Sequence, residues 1–426
     1  MATLEKQNVK QNGSIIAIIT MMFLYAMISF VTNLAAPIGV IWKNQPEIGG
    51  SNMLGMLGNF MNFFAYLFMG IPAGKMLTKI GYKKTALLAI TVGIIGLILE
   101  WLSGQAESMW IYLAGAFISG FCMCMLNAVV NPMLNLLGGG GKAGNQLIQI
   151  GGAFNSAAGV AVYIIMGALI GEVTKDTAIA DATPALFIAL AIFVAAFLVL
   201  FFTKIEEPEQ APVEFELIRG ALKYRHFALG ALAIFAYMGV EVGTPTYMIK
   251  YLTSEVGITA GVATLIAAVY WLCMFIGRTV GGSLGGKVSG RTMVATVSTA
   301  AIILLLFGMF APADITTNVP GVDWGKLEVI WVEVPIGMAA FILVGLCSSV
   351  MWGGIFNMAV EGLGKYTAAA SGIFMTMVFG CAVMVAVQAG VADMTGDYLT
   401  SYWVPIACAA YILFYALIGS RVKKTA

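Results

Sequence analysis

Gly70-Ile-Pro-Ala-Gly74-Lys75-Met-Leu-Thr78-Lys79-Ile-Gly81-Tyr-Lys83-Lys84 joins two long apolar runs, and its reading decides the fold. Small residues in its first half let two helices approach closely. Gly81 then suits a tight turn, and the four lysines hold that turn at an anionic membrane surface. A fainter copy lies in the second half: Gly282-Ser-Leu-Gly-Gly286-Lys287, followed by Gly290-Arg291. The two copies start at positions 70 and 282 of 426, so each half of the chain carries one. A motif that recurs once per half describes two matched helical units that rock about a shared centre.

Composition agrees. Apolar residues make up 60% of the chain, charged residues only 10%, and the mean hydropathy is +0.92. A water-soluble enzyme of this size could not cover its exterior with so few charges, since about 25% is ordinary. The 22 basic and 21 acidic residues leave no surplus for nucleic acid. Disorder is excluded because too much apolar surface would stay wet.

A bilayer core of about 30 Å needs about 20 apolar residues per helix. Twelve runs qualify: 14–42, 52–77, 84–104, 108–136, 145–172, 182–203, 226–253, 258–288, 291–311, 335–361, 366–393 and 399–422. None shows the alternation of a transmembrane barrel, so helices are the expected way to satisfy the backbone in lipid. The first run is too long for a signal-peptide core and lacks a small-residue cleavage site, so it reads as a retained helix. With both termini on one side, that side holds seventeen of the 22 Lys and Arg; the other holds Lys43, Lys175, Lys250 and Lys326, and Arg278 lies inside a span. The bias predicts cytoplasmic termini, and the expected location is a bacterial inner (plasma) membrane. The polar stretch from Thr203 to His226 divides the spans six and six. The expected units are therefore 1–203, a central cytoplasmic loop 204–225, and 226–426.

With the basic turns, the span count and the central loop in place, the chain resembles the major facilitator superfamily. That family's loop between helices two and three has the form G-x-x-x-D-R-x-G-R-R. Gly74, Lys79, Gly81, Lys83 and Lys84 match it, while Thr78 stands at the acidic position. Asn127-Ala-Val-Val-Asn131-Pro132 followed by Leu137-Gly138, Ala153-Phe154-Asn155-Ser156 with Gly159, Phe275-Ile-Gly277-Arg278-Thr-Val-Gly281, and Tyr237-Met-Gly239-Val-Glu241 are similar to motifs of its L-fucose permease branch of sugar symporters. The resemblance implies an all-α integral membrane fold of twelve helices in two pseudo-symmetric six-helix bundles. It also implies a sugar as cargo and gating roles for Gly74, Lys79, Gly81, Lys83 and Arg278. Acidic residues stand in that branch where this chain has Asn33 and Asn127, which cannot titrate.

Ionisable groups at bilayer depth are costly and are functional candidates by default. Glu100, Glu333, Glu361 and Asp393 fall near span ends, where water or headgroups are in reach. Glu241 lies about 22 Å into the seventh span at 1.5 Å per residue, close to the midplane. It is the expected coupling residue. For Arg278 the expected fate is snorkelling, or a brace to a helix end such as Glu361.

Intramembrane amides are numerous. Each offers two donors and an acceptor oxygen, which suits hydroxyls that donate and accept. Tyr25, Phe154, Tyr247, Tyr270, Trp271, Trp352 and Phe356 could stack on a sugar ring. The expected binding set is Asn33, Asn127, Asn131, Gln149, Asn155, Glu241, Tyr270 and Asn357, at a site lined by spans one, four, five, seven, eight and ten.

No enzyme is expected. The lone His226 sits at a span edge, and no H-E-x-x-H or G-x-S-x-G run occurs. The six cysteines fall inside spans with no zinc or disulfide spacing. No catalytic residue, cofactor or metal is called for.

The reading is a secondary active transporter of a monosaccharide, hexose or deoxyhexose, working as a monomer by alternating access with a co-transported proton or sodium ion. An uncoupled sugar facilitator is the first alternative. An exporter of small amphipathic compounds is the second, against which the amide count argues.

Overall fold

A computed structural model describes residues 2–45, 52–139, 141–170, 177–205, 215–284, 287–323 and 328–422. The acidic part of the central loop (206–214), Lys175, Gly285, Gly286, Trp324, Lys326, Lys423 and Lys424 lie outside the described residues.

Among the described residues, each of the twelve expected spans forms helix. The first unit contains α1 (Ala2–Asn44), α2 (Leu57–Ile80), α3 (Tyr82–Gln105), α4 (Met109–Leu137), α5 (Gly141–Ile170) and α6 (Thr183–Phe202). The second contains α7a (Arg225–Glu241) and α7b (Gly243–Ser254), α8 (Ala260–Leu284), α9 (Gly290–Phe310), α10a (Ile336–Ser348) and α10b (Met351–Val360), α11a (Thr367–Met377) and α11b (Gly380–Thr395), and α12 (Trp403–Phe414). Among the described residues, eleven of these spans are apolar enough to cross a membrane by composition alone. The exception is α2, which spends part of its length on Asn59, Asn62, Gly70, Pro72, Gly74, Lys75 and Lys79. At 1.5 Å per residue its 24 residues still reach about 36 Å.

Two elements add to the expected fold. The connection between α9 and α10a contains an antiparallel hairpin of β1 (Thr316–Asp323) and β2 (Glu328–Pro335). The central loop contains a short helix, Phe215–Leu222, whose Gly220 abuts the Tyr366 ring.

The breaks in the second unit have local causes. Pro245 has no N–H to donate to the Glu241 carbonyl, so the helical ladder misses a rung and the seventh span divides at Val242. In the tenth span, the Ser348 and Ser349 hydroxyls donate to the carbonyls of Gly345 and Leu346, and the helix parts at Ser349–Val350.

Matched caps show the pseudo-symmetry. Lys83, two residues after the cap of α3, donates to the Phe201 and Thr203 carbonyls at the end of α6, both at 2.8 Å. Arg291, two residues after the cap of α9, donates to the Ser420 hydroxyl and carbonyl, at the end of the π-helical turn (Tyr415–Gly419) that continues α12. Cations thus meet the negative ends of helices at corresponding places in both units. Gly81, with φ +86°, makes the turn that the sequence asked of it.

The units meet along two seams. On the half of the membrane carrying the chain termini, α2 packs on α11a, and α5 on α8. A Cβ at Gly70 would lie 2.5 Å from the Thr376 nitrogen, and one at Gly372 would lie 3.1 Å from the Gly70 carbonyl oxygen. On the opposite half, α2 and α11b are parted by a cleft of about 370 Å³ lined by Asn59, Phe60, Tyr247, Asp393 and Tyr398. The molecule is therefore closed on the terminal side and open on the other.

Candidate functional site

Where the units part, a cavity of about 160 Å³ lies at the depth of the helix breaks. Asn59 lines both this cavity and the outer cleft, so the two adjoin. Tyr25, Ser29 and Asn33 face it from α1, Asn59, Phe63 and Tyr66 from α2, Asn127 from α4 and Asn155 from α5. The second unit supplies Glu241 and Val242 at the α7 break, Thr246 from α7b, Trp271 and Arg278 from α8, Trp352 from α10b and Val378 at the α11 break. Spans two and eleven thus join the six expected ones.

Three of the four lining amides are held in place by hydrogen bonds. Asn33 donates to the Ser29 carbonyl at 2.8 Å and its hydroxyl at 3.0 Å. Asn127 donates to the Tyr66 hydroxyl at 3.0 Å and the Met123 carbonyl. Asn155 donates to the Tyr25 carbonyl at 2.8 Å, which turns its carbonyl oxygen toward α8. Fixed amides present their remaining lone pairs and protons in set directions, the condition for reading a ligand's hydroxyls.

Among the described lining residues, Glu241 and Arg278 are the only Asp, Glu, Lys or Arg. Arg278 Nη2 lies 3.3 Å from Glu241 Oε1. Arg278 Nη1 donates to the Gly152 carbonyl at 2.8 Å, the Ser156 hydroxyl at 2.9 Å and Asn155 Oδ1 at 3.3 Å. Its Nε donates to the Ser349 carbonyl, one of those freed by the break in the tenth span. The expectation of snorkelling, or of a brace to Glu361, is corrected: Arg278 is 5% exposed and ends on Glu241. Glu361 is exposed, and its carbonyl accepts the His226 Nε2 hydrogen. A side chain in α8 points back along the helix toward its N-terminus, which lifts the guanidinium toward the cavity.

Asn33, Asn127, Asn155 and Glu241 are thus brought together. The other four expected ligands stand elsewhere in this conformation. Asn131 is fully buried beneath them and donates to the Asn127 carbonyl. Gln149 is buried on α5 beside Gly282 of α8. Tyr270 shares a hydrogen bond with the Ser348 hydroxyl inside the second unit. Asn357 is half-buried on α10b. Of the expected gating residues, Gly74 lies in the α2–α11a seam, Lys79 is exposed, and Gly81 and Lys83 act within the first unit.

Sequence reasoning placed Glu100 in reach of water; it is instead 7% exposed, in the α3–α4 crossing. Gly96 and Gly115 let those helices touch, and Ser119 donates to the carboxyl at 2.9 Å. Asn59 and Tyr66 also line the cavity, though neither was in the expected binding set. The Asn59, Asn62, Tyr66 spacing, polar at three- to four-residue intervals in α2, was the available signal.

The Major Facilitator Superfamily profile matches residues 18–419. The chain is 29% identical over 414 residues to a glucose/galactose transporter of Brucella abortus, covering 95% of this chain and 94% of that one. It is 23% identical over 388 residues to the L-fucose-proton symporter of Escherichia coli, covering 84% and 83%. The crystal structure of the transporter FucP in its outward conformation superposes with a TM-score of 0.76 at 22% identity, over 96% of this chain and all of that one. The fold and the resemblance read from the motifs are borne out.

Proposed function

Because the chain belongs to the Major Facilitator Superfamily, we propose that it is a secondary transporter that carries one monosaccharide, a hexose or deoxyhexose, by alternating access. The observation that carries this reading is the cavity itself. Four side-chain amides, two indoles and a charge pair of zero net charge surround about 160 Å³ between two pseudo-symmetric units. Amides serve hydroxyls, indole faces cover the apolar side of a sugar ring, and a self-neutralised pair disfavours a charged cargo. Relatives that transport glucose and galactose, or L-fucose with a proton, support the same cargo class.

In this reading Asn33, Asn127 and Asn155 bind the cargo in the outward state, and Glu241 is the coupling carboxyl, since it is the one carboxyl among the described lining residues. Asn131, Gln149, Tyr270 and Asn357 act later in the cycle or as helix packing. Residues 1–203 rock against 226–426, with 204–225 as the link. The protein works as a monomer in a bacterial inner membrane, termini in the cytoplasm, as the distribution of Lys and Arg favours.

Uptake of labelled glucose, galactose and L-fucose into proteoliposomes, with proton and sodium gradients imposed separately, tests the assignment. Accumulation under one gradient is expected, and Glu241→Gln is expected to lose accumulation while keeping exchange. Equilibration without accumulation under either gradient would make the protein a facilitator; no saturable sugar movement at all would overturn the reading.

A further inference from the structure

We propose that Arg278 is the clasp that holds the two units together beneath the cavity, and that cargo releases it by taking over the two groups that position it, Asn155 and Glu241. The inference rests on the alternating-access reading above.

The guanidinium belongs to the second unit, yet three of its hydrogen bonds cross to α5 of the first: the Gly152 carbonyl, the Ser156 hydroxyl and Asn155 Oδ1. These bonds span the α5–α8 seam, which must part for the cavity to open toward the termini. Gly152 belongs to the device, because a Cβ there would come within 3.1 Å of Arg278 Cδ.

The contacts differ in strength. Those to Gly152 and Ser156, at 2.8 and 2.9 Å, have the length of good charged hydrogen bonds, whereas those to Asn155 and Glu241 are both 3.3 Å. Of its three contacts at 3.3 Å, two cross the space beside the cavity to partners that line it, Asn155 and Glu241, while the third, to the Ser349 carbonyl, stays within the second unit. A sugar hydroxyl that bonds the Glu241 carboxyl or the Asn155 amide therefore competes with Arg278 at two of its longest links. Proton uptake by Glu241 removes the same compensation.

A buried guanidinium is tolerated only while a carboxylate or enough acceptors accompany it. Once Glu241 is engaged elsewhere, the closed seam holds an under-compensated cation. Parting the seam restores water to it. Occupancy of the cavity is thereby linked to the terminal-side gate through one side chain. Arg278 acts here as a positioning residue, since its effect on cargo runs through Asn155 and Glu241.

The test uses the full-length carrier in proteoliposomes, with the native cysteines replaced and a single reporter, Ser371→Cys. Ser371 is buried on α11a, the helix that packs on α2, so its reaction with a maleimide reports exposure of that helix and not a local change at Arg278. In the parent protein, glucose or galactose is expected to raise labelling. In Arg278→Gln, labelling without sugar is expected to rise by about tenfold, the equivalent of one charged hydrogen bond. Sugar should add little more. Arg278→Lys keeps the charge but not the fork and should fall between. Should Arg278→Gln fail to fold, Ser156→Ala removes one clasp bond without uncovering a charge and is expected to raise sugar-free labelling in the same direction. Sugar-free labelling of these variants at the parent's level overturns the clasp. A parent protein that neither binds nor moves any sugar overturns the transport reading instead, and leaves the sugar-free comparison to decide the clasp on its own.

Discussion

Replacing Gly70 by Ala should push the carrier out of the state described above. The ideal Cβ at this position would lie 2.2 Å from Thr376 Oγ1, 2.5 Å from its nitrogen and 2.7 Å from its Cα. Ordinary contact between such atoms needs about 3.5–4.0 Å. The hydroxyl can rotate away, but the nitrogen and Cα are backbone, so α2 and α11a must separate. Overpacking of this kind costs about 1–3 kcal/mol. The cost falls only on the conformation in which the two helices touch. In a state opened toward the termini the seam is parted and the added methyl meets no backbone. The whole penalty therefore appears as a shift between states, about 5- to 150-fold at 1.4 kcal/mol per decade. Gly372→Ala, whose Cβ would stand 3.1 Å from the Gly70 carbonyl oxygen, should shift it less. The assay is maleimide labelling of the buried Ser371→Cys reporter with no sugar present. Unchanged labelling in Gly70→Ala, or a rank order with Gly372→Ala the stronger, would refute the claim that this seam is the terminal-side gate.

Three further outcomes follow from the site. Placing acids where the L-fucose permease branch has them, Asn33→Asp with Asn127→Glu, should make uptake more dependent on an imposed proton gradient; a gradient response identical to the parent's would mean these positions do not communicate with coupling. Trp352→Ala should weaken sugar binding by about 2- to 10-fold through loss of the ring face, measured by competition against labelled galactose, and a variant that binds as the parent does would remove Trp352 from the site. Glu100→Ala should destabilise the first unit by about 1–3 kcal/mol, because the Ser119 hydroxyl is left buried and unpaired. Glu100→Gln keeps an acceptor for Ser119 and should melt near the parent in detergent; equal losses in both would show that the charge matters.

The spans and the six-and-six division could be read from the chain because lipid imposes them residue by residue. Length, apolarity and the placing of Lys and Arg answer to the bilayer and not to a distant partner. The Gly70–Gly74 stripe was legible for a similar reason: only small residues let helix backbones touch, whatever helix arrives. Asn33 and Asn127 likewise stood out as amides where the matching motif has acids.

Which polar groups meet was decided by tertiary structure alone. In water an amphipathic pattern tells the buried face of a helix from the exposed one. In lipid both faces are apolar, so the spacing of Asn and Gln does not say whether an amide looks into a cavity, as Asn155 does, or into packing, as Asn131 does. Arg278 sat at a depth from which it could have snorkelled. It ends on Glu241, 37 residues away, and on Gly152, 126 away, because the α5–α8 crossing and the break at Ser349 bring carbonyls to it. Glu100 is buried for the same kind of reason: Gly96 and Gly115 draw α3 and α4 together over it. An ionised or polar side chain in a low-dielectric interior goes where donors and acceptors converge, and that convergence is a property of crossing helices, which no single segment encodes.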